Sequence, residues 1–171
     1  MPAAAEASID LGGAAGGAFR PLALINEHTG ETLTIDFTKG EQRQPAMRAA
    51  ERWFLRDHHD GSLHDIDPRL LETVFLIAKL VGHKGPVRVL SGYRSPATNA
   101  MLRLYNEGVA VRSYHMQGKA IDFHLPGCPL TEVHKAAVSL KAGGVGYYPT
   151  AGSPFVHLDV GSVRAWPRMT L

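Results

Sequence analysis

Two short segments constrain this chain most, because each alternates apolar and polar residues with a period of two. Residues 119–125 read Lys-Ala-Ile-Asp-Phe-His-Leu, and residues 155–160 read Phe-Val-His-Leu-Asp-Val. Side chains of a β-strand point alternately to opposite faces, so each segment is expected to be a strand with one apolar and one polar face. Ile121, Phe123 and Leu125 then share one face with Val156, Leu158 and Val160. Asp122 and His124 share the other with His157 and Asp159. If the strands are neighbours, Asp122 meets His157. His115, seven residues before Asp122, lies in the loop Ser113-Tyr114-His115-Met116-Gln117-Gly118, where Gly118 permits a turn back over the same spot. Two imidazoles and one carboxylate, with a fourth position open, are the donor set of a catalytic zinc. The competing reading is a buried Asp–His pair that only ties two strands together. A third donor favours the metal.

At 171 residues the chain is long enough for one domain with a core that needs no staples. A formal net charge of +2 is too small to argue for a nucleic-acid partner. The single cysteine, Cys128, excludes an internal disulfide and a cysteine-rich zinc fold. No segment is long and apolar enough to cross a bilayer as a helix. Residues 1–18 are rich in Ala and Gly and read as a flexible tail ahead of a domain over 19–171. They lack the cationic start and apolar core of a signal peptide, and are compatible with the remnant of a removed leader.

Leu22 to Asn26 and Thr32 to Asp36 flank a turn at Gly30 and predict a hairpin. Pro45 to Asp57 predicts a helix. A second helix has clear boundaries, with Asp67 as cap, Pro68 in its first turn and Gly82 beyond its end. Leu70, Leu71, Val74, Phe75, Ala78 and Val81 give it a core-facing stripe. Val87 to Leu90 predicts a strand, Ser95-Pro96 opens a third helix that Gly108 stops, and a fourth is expected over about 131–142. Strands at both ends with helices between them predict a single α+β domain, with a mainly antiparallel sheet and flanking helices.

The run Ser113-x-His115-x-x-Gly118-x-Ala120-x-Asp122, followed by a later His, resembles the signature of LAS-type zinc peptidases. That group includes the D-Ala-D-Ala carboxypeptidases, bacterial cell-wall endopeptidases and the Hedgehog signalling domain. Further segments narrow the resemblance to the YcbK-like murein endopeptidase branch. They are His28-Thr29-Gly30-Glu31, Leu55-Arg56-Asp57, Ile66-Asp67-Pro68 and Ser91-Gly92-Tyr93-Arg94-Ser95-Pro96. Towards the C-terminus they continue as Gly143-Gly144-Val145-Gly146-Tyr147-Tyr148-Pro149, Phe155-Val156-His157-Leu158-Asp159-x-Gly161, Val163-Arg164 and Trp166.

The resemblance implies a Hedgehog/D-Ala-D-Ala peptidase-like fold and one zinc ion on His115, Asp122 and His157. It implies hydrolysis of peptide stems or cross-links of peptidoglycan, and hence a periplasmic or cell-envelope location. The alternative is a zinc-bearing domain that binds wall peptides or a partner without cutting. The chain departs from many relatives just before its last metal residue. There a Glu or His is usual, and here Pro154 and Phe155 stand. Asp159 is the first candidate to take over as base, or else to orient an imidazole, and His124 is the second. In relatives the Arg94 position lies in the cleft, where it binds a carboxylate or stabilises an oxyanion. The plainer reading ties Arg94 to its own loop, with Ser91 and Asn99 organising that loop. Tyr147 and Tyr148 follow a Gly-rich turn placed near the site by the resemblance; one of them, with Tyr147 the choice, is expected to line the cleft, and at least one to be ordinary packing. The other histidines, His134 among them, read as surface residues, and Cys128 as a small packed side chain.

Overall fold

The computed structural model describes residues 21–41 and 44–167. The tail expected over residues 1–18 lies outside them. Among the described residues four α-helices form: α1 (Pro45–Phe54), α2 (Pro68–Leu80), α3 (Pro96–Tyr105) and α4 (Leu130–Ser139). The boundaries of α2 follow from its sequence. The Asp67 carboxylate accepts from the Arg69 amide, and Pro68 occupies the first turn, where its missing N–H costs nothing. Ser95 caps α3 in the same way through the Thr98 amide. The first helix ends at Phe54, short of the expected Asp57.

Seven strands of the described residues make one sheet: β1 (Leu22–Asn26), β2 (Thr32–Ile35), β3 (Val87–Ser91), β4 (Ala120–His124), β5 (Gly144–Tyr148), β6 (Phe155–Asp159) and β7 (Arg164–Trp166). Their order is β2-β1-β3-β4-β6-β5-β7. The α+β class agrees with the expectation; the strand directions correct it. The sheet is mixed, because β1 pairs with β3 and β5 with β7 in parallel. A parallel pair needs a crossover connection. α1 and α2 supply the crossover between β1 and β3. β6 occupies the centre of the other half, so β7 returns along the far side of β5.

Ile121 lies opposite Leu158, and Phe123 opposite Val156. All four are buried and join Leu70, Val74 and Ile77 of α2 in one core cluster. Each such side chain stabilises the fold by about 1.5–3 kcal/mol through removal of apolar surface from water. The same register sets Asp122 against His157 on the opposite face. Packing on one side of the sheet thereby fixes the polar constellation on the other.

The loop before β4 is held as firmly. Gly118 has φ 63°, a left-handed conformation, at the end of a short 3-10 helix over Tyr114–Gln117. Its carbonyl accepts from the Asp67 amide at 2.9 Å, and a Cβ at this position would run into the Asp65 carbonyl. Gly118→Ala is therefore expected to cost at least about 1–3 kcal/mol, from a strained φ and a backbone clash. A urea titration will show it as a lower midpoint at unchanged slope.

Candidate metal centre

Backbone acceptors orient the site before any ligand arrives. His115 is buried in the 3-10 helix, whose cap Ser113 accepts the His115 amide through Oγ at 3.2 Å. Its ring Nδ1 lies 2.7 Å from the Gly92 carbonyl oxygen. A carbonyl only accepts, so Nδ1 carries the proton and Nε2 presents its lone pair. The Gly92 loop cannot drift, because the Tyr93 amide bonds Leu55 O at 2.7 Å and the Ser95 amide bonds Asp57 Oδ2 at 2.8 Å. A side chain at Gly92 would strike the Leu55 backbone.

His157 is oriented by Asp159. Its Nε2 faces Asp159 Oδ2 at 3.1 Å, leaving Nδ1 to face Asp122 Oδ1 at 2.8 Å. The Nε2 of His115 stands 3.2 Å from that Nδ1 and 3.3 Å from the same Asp122 oxygen. Three donors thus close a triangle with edges of 2.8, 3.2 and 3.3 Å. Ligands at about 2.0–2.1 Å from a tetrahedral zinc are separated by about 3.3 Å, so these residues fit that ion. With both imidazoles neutral, three lone pairs converge and none finds a proton. A cation is the natural complement.

Without a metal, a proton takes that place. Burial opposes a charge on His157, but hydrogen bonds to Asp122 and Asp159 outweigh it and push the imidazole up to about 9. Burial likewise opposes ionised Asp122, yet His115 and His157 hold its carboxyl far below the usual range. His115 is pushed down, chiefly by burial, and stays neutral.

Asp159 has no exposed surface. Its Oδ1 accepts from the amides of Gly144 at 3.1 Å and Gly161 at 2.9 Å and from Arg164 at 3.0 Å. Its Oδ2 takes His157 and a second Arg164 nitrogen at 2.6 Å. No lone pair remains for a water molecule, so the geometry is that of an orienting acceptor. Arg94 sits beside the donors, with one nitrogen 3.9 Å from Asp122 Oδ2 and weaker contacts to Asn99 and Ser91 at 3.3 and 3.4 Å. Its amide also bonds His115 O at 3.2 Å.

The three donors open into a cleft of about 560 Å³. One wall comes from the end of α3 and the loop after it, including Tyr105, Val109 and Arg112; the other is aromatic, with Tyr148, Phe155 and Trp166. Tyr148 stacks on Phe155 at 4.6 Å and its hydroxyl accepts from Trp166 Nε1 at 2.8 Å. Here the expectation for Tyr147 is corrected. Gly146 and Tyr148 lie opposite His157 and Phe155, so the site face takes Tyr148 and the other face takes Tyr147. Tyr147 packs against His134 of α4 at 5.1 Å. His134, expected on the surface, is correspondingly buried. His124 is engaged by Glu27 at 2.8 Å and does not line the cleft. The register of β5 against β6 was the missing signal.

Metal-free protein at pH 7 holds a proton on His157 that a metal must displace. Zinc binding should therefore release about one proton, and affinity should rise about tenfold per pH unit until about 9. Calorimetry in buffers of different ionisation enthalpy will count that proton. His115→Ala and Asp122→Ala should each abolish tight zinc binding.

A family model described as peptidoglycan L,D-endopeptidase MepK, of the M15 peptidases, matches residues 14–166. The peptidoglycan L,D-endopeptidase MepK of Escherichia coli (strain K12) is 44% identical over 147 residues, covering 86% of this chain and 80% of the relative. The probable peptidoglycan L,D-endopeptidase MepK of Haemophilus influenzae is 43% identical over 148 residues, covering 86% and 78%. A solved structure of the Serratia marcescens L-Ala D-Glu endopeptidase ChiX aligns with 73% of this chain and 95% of its own, at 15% identity and a TM-score of 0.44. Matched along nearly its whole length, the chain belongs to the MepK family, the YcbK-like murein endopeptidase branch of the LAS-type M15 peptidases.

Proposed function

We propose that this protein is a zinc-dependent peptidoglycan L,D-endopeptidase working in the periplasm or cell envelope. The observation that carries the reading is the triangle of three lone pairs at the mouth of a cleft, two of them on imidazoles pre-aimed by an acceptor behind the ring. His115, Asp122 and His157 would hold one zinc ion. When bound, zinc lowers the pKa of water and polarises an amide carbonyl, which makes hydrolysis feasible at neutral pH. Family membership supports the substrate class.

The remaining chemistry falls to the chain's own side chains. Arg94, largely withdrawn from solvent beside Asp122, can donate to negative charge that develops on the carbonyl oxygen during attack. Asp159 acts through His157: it fixes the ring and keeps its proton on Nε2, away from the metal. The aromatic wall shields the reacting peptide from water.

One observation favours a second reading, a wall-peptide-binding domain without hydrolysis. Among the described residues lining the cleft, the only carboxylates are Asp122, which belongs to the donor set, and Asp159, whose two oxygens are taken by His157, Arg164 and two amides. No spare base stands beside the donors.

Muropeptides with defined cross-links, incubated with zinc-loaded or chelated protein, separate the readings by mass spectrometry. Zinc-dependent conversion of dimers to monomers is expected; tight binding with every cross-link intact would establish the second reading. Asp159→Asn should weaken zinc affinity about 10- to 100-fold in direct titration, the cost of losing an outer partner of a ligating imidazole. Arg94→Gln should keep its zinc and lower kcat by about 10²–10³.

A further inference from the structure

Three guanidinium groups line the cleft: Arg94, Arg112 and Arg164. Arg164 is committed to both oxygens of Asp159, and Arg94 to Asp122, Asn99 and Ser91. Arg112 is exposed and, among the described residues, makes no side-chain hydrogen bond or ion pair.

Its backbone is nonetheless fixed on both sides. The Asn99 side-chain amide donates to Ala110 O at 3.0 Å, and Ser113 is buried as the cap of the helix that carries His115. Arg112 is thus a free cation on an anchored stem, three residues before a metal-site histidine. The opposite wall holds aromatic side chains and Arg164; Asp159 is taken by Arg164 and His157, and Asp122 faces the two imidazoles and Arg94. Among the described residues that line the cleft, none pairs with that charge.

The proposed substrate supplies an answer; the inference rests on that reading. In an L,D bond the carbonyl comes from an L-residue and the amine from a D-residue, which keeps its own carboxyl group. Where that amine belongs to a side chain of its stem, the carboxyl on the same D-centre takes no part in the bond and is free and ionised. We propose that Arg112 is the specificity residue that recognises a free carboxylate of the cross-linked peptide, by a charge-assisted and preferably two-pronged hydrogen bond. Two carboxylates have this chemistry: that of the D-residue at the scissile bond, and that of the glutamate within the stem.

The test uses zinc-loaded protein and synthetic cross-linked dimers with each carboxylate separately free or amidated. Arg112→Gln is expected to raise KM about tenfold on the free substrate, with kcat within about twofold and zinc content unchanged. Amidating the recognised carboxylate should cost the parent protein the same factor and the variant nothing. Arg112→Lys should fall between. The carboxylate whose amidation abolishes the difference is the one read. Equal KM values, or equal losses on all substrates, would overturn the proposal. If zinc-loaded parent protein cuts no substrate, the endopeptidase reading fails, and calorimetric titration of a stem tripeptide decides the inference separately. Weaker binding by Arg112→Gln then upholds the carboxylate subsite, and unchanged binding removes it.

Discussion

The pairing of β4 with β6 is the constraint on which the rest of this structure depends. One register places Ile121 against Leu158 and Phe123 against Val156 in the core, and with the same stroke Asp122 against His157. A slip of one residue in either strand would send its two apolar side chains to the cleft and its own site residue, Asp122 or His157, into the interior. The free energy that builds the core is therefore what defends the site's geometry.

Asp159 extends that control outwards. It sits where β6 ends and gathers amides from the start of β5 and from the turn before β7, while Arg164 of β7 clasps both of its oxygens. Gly144 is required at this crowding, since a Cβ there would meet Asp159 and Arg164 together. Half of the sheet is thus referenced to one buried carboxylate, and that carboxylate to one imidazole. On the other side a bulge in β3 between Val89 and Ser91 brings the Gly92 carbonyl to His115. The two histidines are steered by different halves of the molecule.

Period and punctuation made much of this legible. Alternation revealed β4 and β6, caps revealed α2 and α3, and the facing polar stripes revealed the donor set. What stayed hidden depended on which strand lies beside which. The parallel pairings of β1 with β3 and of β5 with β7 are decided by connections that run through or around other elements, and no local pattern encodes them. Tyr147 and Tyr148 are adjacent, so only the β5–β6 register could say which meets the cleft. His134 looked like a helix-surface residue because its burial comes from Tyr147, an element away. Asp159 was recognisable as a partner of His157, but its four other contacts come from segments that sequence spacing does not bring together.

The closeness of the three donor edges bears on which ions the site can tolerate. Divalent copper binds nitrogen and oxygen donors more strongly than zinc does, and it favours a square plane. Such a plane needs at least one opposed pair among any three ligands, about 4 Å apart at ordinary bond lengths. Edges of 2.8, 3.2 and 3.3 Å offer no opposed pair. The donors cap a single face of whatever they hold, and the backing from Gly92 and Asp159 resists spreading them. If the site holds zinc as proposed, rigidity in the supporting hydrogen bonds would act as metal discrimination, disfavouring the stronger binder by shape with no change of donor atoms.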